Sequence, residues 1–163
     1  LVAGQNAAVV TNQFVDQFIT FGGSGLTLGL VCTMLYFSKS RQYKELGKLS
    51  IIPGLFNINE PIIFGFPVVF NPIMAIPFIL APVISAIMVY TSIATGIVEP
   101  FRAISVPWTT PFIISGFLIG GVKAAILQIA VFSMTVAVYF PFIKYQDKLA
   151  YQEEQKIGTE ATV

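Results

Sequence analysis

The chain has 163 residues, of which 55% are hydrophobic and only 10% are charged, with a net charge of +1. Soluble domains usually carry about 25% charged residues, so this composition excludes an ordinary soluble domain and predicts an integral membrane protein. The near-neutral charge gives no reason to expect nucleic acid as a partner. Since the chain has no histidine and a single cysteine, Cys32, it cannot form an internal disulfide, and we expect no metal or other cofactor.

The first long apolar segment is residues 14–37, "FVDQFITFGGSGLTLGLVCTMLYF". It is long enough to cross a hydrocarbon core of about 30 Å, and glycine is tolerated in membrane helices. The segment that follows, "SKSRQYKELGK", is strongly basic, and short basic loops lie in the cytoplasm. Leu1 follows no charged n-region or cleavage site, so we expect no signal peptide and a sequence that begins inside a longer protein.

Two later segments, residues 71–96 and 122–142, are also predicted to be membrane-spanning helices. From residue 144 onward the chain is polar with mixed charges, and we expect this tail to be cytoplasmic and helical at first. The composition therefore divides the chain into a membrane domain, residues 1–143, and a cytoplasmic polar tail, residues 144–163.

Residues 49–70 and 99–121 each contain three prolines. Proline inside a helix removes a hydrogen bond and moves the preceding residue out of the α region. Broken backbone at membrane depth must be buried in protein or line a cavity. Four complete crossings would satisfy the topology equally well, but the prolines favour two re-entrant hairpins. The predicted fold class is thus an all-α integral membrane protein with transmembrane helices and two re-entrant hairpins.

The first proline-rich block contains a polar cluster, "NINEP", with a carboxylate at Glu60 and amides at Asn57 and Asn59. A carboxylate inside the membrane is costly and usually functional. Together with the amides it suits a polyhydroxylated ligand. The alternative is a structural carboxylate that caps a broken helix end or pairs with a basic side chain.

The second block contains "VPWTTP", with the only tryptophan, Trp108. An aromatic ring can pack against the apolar face of a sugar, and the hydroxyls of Thr109 and Thr110 could orient the ligand. Tryptophan is also enriched at membrane–water interfaces, so a membrane anchor is the alternative. The glycine-rich "GGSG", residues 22–25, allows either close helix packing or backbone exposed to a cavity.

Three motifs, "GLFNINEPIIFGFP", "FGGSGLTLGL" and "VPWTTPFIISGFLIGG", resemble the enzyme IIC membrane component of the bacterial sugar phosphotransferase system. The branch it resembles is the lactose/cellobiose/diacetylchitobiose family, over roughly residues 1–145. The resemblance implies a multi-pass permease of the inner membrane that binds a β-linked disaccharide. A partner IIB protein, itself served by IIA, would phosphorylate the sugar on its 6-hydroxyl from a phosphocysteine.

The family's glutamate falls on Glu60, which would hydrogen-bond the sugar and is a candidate base for the attacking hydroxyl. The preceding asparagine falls on Asn59, and the sugar-contacting tryptophan falls on Trp108. With Asn57 and Thr109 these residues form the predicted substrate site, and Glu60 is the predicted catalytic residue.

The chain also departs from the family. Family members carry a functional histidine upstream of the glycine-rich helix and a dimerising N-terminal domain, and this chain has no histidine. We therefore expect homodimer formation through a domain outside these residues. The alternative function is a proton-coupled secondary transporter that uses Glu60 as its proton site, since broken helices and a buried acid serve that mechanism too.

Overall fold

The computed structural model describes residues 12–66, 68, 70–99, 101 and 106–160. Every regular element within these ranges is helical, which confirms the predicted all-α class. A one-turn helix and a π-helix come first, and five α-helices follow. Their bounds are α1 Asn12–Phe14, the π-helix Val15–Ile19, α2 Thr27–Phe37, α3 Arg41–Leu55, α4 Glu60–Gly65, α5 Pro72–Ala94 and α6 Ile114–Glu160.

The predicted continuous helix over residues 14–37 is wrong. The π-helix ends at Ile19, and the backbone then passes through several left-handed residues before α2 begins, among them Leu26 with a φ of 56°. The other left-handed residues are Gly22, Gly23 and Gly25, and glycine adopts this conformation without strain. The glycine-rich segment therefore ends one helix and turns the chain into the next. The 11 residues of α2 span only about 16 Å, too little to cross a bilayer.

The other two predicted spans are confirmed as membrane-length helices. Both α5 and α6 are long and apolar enough to cross a bilayer. Asn71 caps α5, because its side-chain oxygen accepts from the N–H of Ile73 at 3.0 Å. The helical backbone of α6 is broken at Gly121, where φ is 69° and ψ is −159°, so residues 114–120 form a separate short arm.

The helices pack around α2, which lies against α3 and α6, while α5 packs on α6 and on the π-helix. A Cβ placed on Gly29 would lie 2.3 Å from the hydroxyl oxygen of Thr135, so only glycine allows α2 to approach α6 this closely. The largest fully buried side chains include Phe18, Phe21, Leu30, Met34, Met74 and Tyr139.

The polar tail continues α6 without a break and docks on the start of α3. The carboxylate of Asp147 accepts from the N–H groups of Lys39 and Ser40 at 2.8–2.9 Å. About two turns further along α6, Glu154 accepts from the Ser40 hydroxyl at 2.6 Å and from the N–H groups of Arg41 and Gln42 at 3.1 Å. Two carboxylates thus satisfy the N–H groups that the first turn of a helix leaves free.

Candidate functional site

A cavity of about 280 Å³ opens where the π-helix, the glycine-rich segment, the α3–α4 turn and the segment around Trp108 meet. Three of the predicted site residues, Asn57, Asn59 and Trp108, line this cavity, whereas Glu60 and Thr109 do not. Its lining residues are Asp16, Thr20, Gly23, Ser24, Asn57, Asn59 and Trp108.

Asn57 joins two walls of the cavity. It is buried and has a φ of 64°, a left-handed conformation that asparagine tolerates better than most residues. Its side-chain oxygen accepts from the N–H of Gly22 at 2.5 Å. Its amide nitrogen donates to the carbonyl oxygens of Trp108 and of Thr110, the latter at 3.2 Å. Both amide hydrogens are therefore used within the protein, and this side chain connects the glycine-rich segment to the Trp108 segment.

Asn59 and Glu60 begin α4. The amide of Asn59 donates to the carbonyl oxygen of Ser24 at 3.1 Å, and a Cβ on Gly23 would lie 2.3 Å from Asn59 Cγ. Gly23, with a φ of 91°, is therefore needed for the asparagine to reach the glycine-rich backbone. Glu60 is exposed as the first residue of α4. Within the described ranges its carboxylate forms neither a cap bond nor an ion pair, so the structural-cap alternative gains no support there.

Trp108 lies in a turn closed by a hydrogen bond from the N–H of Thr110 to the carbonyl oxygen of Pro107 at 3.0 Å. Its side chain is 57% exposed although it lines the cavity, so much of the ring is free for contact. Thr109 is exposed beside it. The ring therefore lies at the cavity wall, and its contact with a ligand stays a prediction.

The sequence reasoning missed Asp16 and Thr20, which both line the cavity. Gly23 and Ser24 also line it, as expected if the glycine-rich segment is exposed to a cavity. Asp16 is the important omission, because it is the only carboxylate in the lining. It belongs to the π-helix, an element that is rare and frequently found at functional sites. Among the described residues its carboxylate has no hydrogen-bonding or ion-pair partner. The available signal was a lone acid in the apolar run "FVDQF", the same signal that identified Glu60.

The Phosphotransferase system, EIIC family model matches residues 2–82 of the chain. The chain is 46% identical over 152 residues to the putative permease IIC component YwbA of Bacillus subtilis strain 168, which covers 92% of this chain and 34% of that protein. It is 50% identical over 149 residues to the cellobiose-specific EIIC component of Geobacillus stearothermophilus, covering 90% of this chain and 33% of that one.

Among solved structures, the chain is similar to the transporter ChbC, the IIC component from the N,N'-diacetylchitobiose-specific phosphotransferase system. The two superpose with a TM-score of 0.88 at 46% identity, over 90% of this chain and 34% of ChbC. The chain thus spans about a third of the length of the relatives it matches. Agreement in family model, sequence and fold shows that the chain belongs to the membrane-embedded EIIC family of the phosphotransferase system.

Proposed function

We propose that this chain forms the sugar-binding part of a phosphotransferase-system permease for a β-linked disaccharide. The observation that carries the proposal is the cavity, whose wall combines an exposed tryptophan ring with amide, hydroxyl and carboxylate groups. This combination suits a sugar, which has apolar ring faces and hydroxyls at its edge. Two relatives named for cellobiose and for N,N'-diacetylchitobiose support the disaccharide class.

The cavity volume of about 280 Å³ is just below the range for small-molecule pockets, roughly 300–1,000 Å³. It therefore suits one sugar ring, with the second ring extending beyond the wall. Glu60 and Thr109 are exposed and follow the lining residues Asn59 and Trp108 in the chain, and on this basis we assign them to the rim. There they can contact the part of the disaccharide that the cavity leaves uncovered.

Within this site Trp108 packs against a ring face, while Asn59 and Asp16 bind hydroxyl groups. Glu60 orients the 6-hydroxyl or accepts its proton as that oxygen attacks the phosphorus of phosphocysteine on IIB. The new O–P bond forms as the S–P bond breaks, and the thiolate leaves. The donor cysteine belongs to the partner, because Cys32 lies within the apolar helix α2.

The topology is part of the same proposal. Helices α5 and α6 cross the bacterial inner membrane, and the proline-rich blocks 49–70 and 99–121 are re-entrant. Within these two blocks, residues 67, 69, 100 and 102–105 lie outside the described residues. The basic segment 38–48, predicted as a loop, mostly forms the first turns of α3. This segment and the polar tail both face the cytoplasm, where positive charge is retained. The contacts between Asp147 and the start of α3 support their placement on one face. Dimerisation would involve a domain outside these 163 residues.

A chimaera tests the proposal, with this chain replacing the matching third of the Geobacillus stearothermophilus cellobiose-specific EIIC. Membrane vesicles containing it should accumulate disaccharide 6-phosphate when phosphorylated IIB is supplied, and none when IIB is unphosphorylated. The unaltered relative is the control for assembly. Accumulation of unmodified sugar that follows the pH gradient, with no need for IIB, would overturn the proposal in favour of a proton-coupled transporter.

A further inference from the structure

Two glutamine side chains, Gln17 and Gln128, are completely buried between the π-helix, α6 and the irregular segment that carries Trp108. Neither lines the cavity. A buried amide is costly unless it is hydrogen-bonded, so the partners of these two side chains indicate what they hold together. Gln128 makes all of its bonds, whereas only the nitrogen of Gln17 has partners in the part of the chain that the structure describes.

Gln128 uses the full hydrogen-bonding capacity of its amide, two donors and two acceptor sites. Its nitrogen donates to the carbonyl oxygen of Gln17 at 2.7 Å and to the hydroxyl of Ser115 at 2.9 Å. Its oxygen accepts from the N–H groups of Ile113 at 2.6 Å and Gly116 at 3.1 Å. One side chain thus joins the long part of α6 to the π-helix and to the start of the α6 arm.

The break at Gly121 makes this arrangement possible, because it folds the arm of residues 114–120 back toward Gln128. Ile113, just before the arm, has a φ of 73°, which a β-branched residue rarely adopts. Its N–H is one of the groups at a helix start that have no intrahelical partner. Gln128 supplies that partner and holds Ile113 in its unfavourable conformation.

Gln17 holds the other end of the same segment. Its amide nitrogen donates to the carbonyl oxygens of Val106 at 3.4 Å and Pro107 at 3.3 Å, immediately before Trp108. Gln17 also follows Asp16 directly in the π-helix, and Asp16 lines the cavity. Asp16, which supplies the cavity's carboxylate, is therefore linked through Gln17 to the turn that carries Trp108.

We propose that Gln128 is a positioning residue for the sugar site, because it fixes the segment that carries Trp108 against the π-helix that carries Asp16. It bonds directly to the end of that segment at Ile113, and it bonds to Gln17, which holds the residues just before Trp108. The sugar-related part of this inference rests on the proposed function. The positioning part concerns only where the tryptophan ring is held and can be measured without a sugar.

The test uses Gln128→Met, which keeps the length of the side chain and removes all four hydrogen bonds. Gln128→Glu is the conservative variant, because in its neutral form it keeps the carbonyl oxygen with both acceptor sites and one of the two donors. Thr33→Val is the matched control. Thr33 is also fully buried, and its hydroxyl bonds only within α2, to the carbonyl oxygen of Gly29 at 2.7 Å.

Trp108 is the only tryptophan, so intrinsic fluorescence of the chain in detergent micelles reports on this one ring. We expect Gln128→Met to change its emission maximum and its quenching by acrylamide, while Thr33→Val leaves both unchanged and Gln128→Glu lies between. Sugar affinity, measured by titrating cellobiose and N,N'-diacetylchitobiose, should fall about tenfold in Gln128→Met, equivalent to about 1.4 kcal/mol.

The two proposals can fail separately. If the wild-type chain binds neither sugar but the Gln128 variants alter Trp108 quenching, the positioning role stands and the proposed ligand class fails. Unchanged quenching in a Gln128→Met protein of normal helicity overturns the positioning role, whatever the sugar does. If Gln128→Met and Gln128→Glu both lose helicity, Gln128 serves the fold as a whole and the inference is also overturned.

Discussion

Replacing Asn57 with alanine tests whether this side chain holds the site together or contacts the sugar directly. The change removes three hydrogen bonds, one from the N–H of Gly22 and two to the carbonyl oxygens of Trp108 and Thr110. Each contributes about 0.5–1.5 kcal/mol net, so the sum is roughly 3 kcal/mol. Alanine at a φ of 64° adds about 1–2 kcal/mol of backbone strain. We expect the free energy of unfolding to fall by about 4 kcal/mol.

Two further substitutions separate these contributions. Asn57→Gly loses the same three bonds but tolerates the positive φ, so it should be more stable than Asn57→Ala. Asn57→Asp keeps an acceptor for Gly22 and loses both donors, which places a carboxylate oxygen against the two carbonyls. Unfolding in mixed detergent micelles, followed by circular dichroism, gives the stability. Trp108 fluorescence reports in parallel on the segment that Asn57 holds.

A direct sugar-binding role for Asn57 predicts a different result. If Asn57 were only a sugar ligand, Asn57→Asp and Asn57→Gly would lower sugar affinity while unfolding and Trp108 emission stayed at wild-type values. That pattern would refute the positioning role that the hydrogen bonds indicate.

Three further predictions concern the rim, the ring and the tail. Glu60→Gln should lower sugar affinity roughly tenfold, since a hydrogen bond to a charged group contributes about 1.5–3 kcal/mol. If Glu60 is also the base, phosphorylation by IIB should fall further than binding, by up to about 10²–10⁴-fold, and equal losses would leave it an orienting residue. Trp108→Ala should weaken sugar binding by about 1 kcal/mol or more through lost ring contact, and unchanged binding at normal expression would return it to the role of membrane anchor. In the tail, the Ser40 hydroxyl and the Gln42 N–H lower the pKa of Glu154. The docking that this carboxylate provides should therefore be present above about pH 4.3 and be lost as pH falls through its lowered pKa. Thermal unfolding across this range should show a larger loss of stability in the wild type than in Glu154→Gln, and identical profiles would contradict it.

The sequence predicted the helical class, both membrane-length helices and three cavity residues, because each rests on a strong local signal. Apolar runs of sufficient length can do little except form membrane helices. Amides and a tryptophan among prolines stand out in an apolar chain, so Asn57, Asn59 and Trp108 could be identified as candidates without a fold. The sequence does not show that Asn57 uses its amide to join two walls of the cavity.

The remaining features depend on tertiary context. Asp16 was missed because residues 14–37 were interpreted as one span. A single acid near the end of a span can reach the membrane surface and so does not by itself indicate a functional site. Leu26 and Ile113 adopt positive φ values that residue type argues against, so no local rule predicts the turns they form. Gln128 lies in an apolar helix and has no motif of its own. Its importance arises only because Gly121 brings the α6 arm within its reach.

The docking of the tail on α3 affects where this protein can be cut. The change in composition near residue 144 suggests a natural end point, but both carboxylates that cap α3 lie beyond it. A version truncated there would expose uncapped N–H groups at the start of the helix that leads, through its C-terminal end at Leu55, directly into Asn57. A cut or a fusion site therefore has to follow Glu154 if both carboxylates are to keep their contacts with α3.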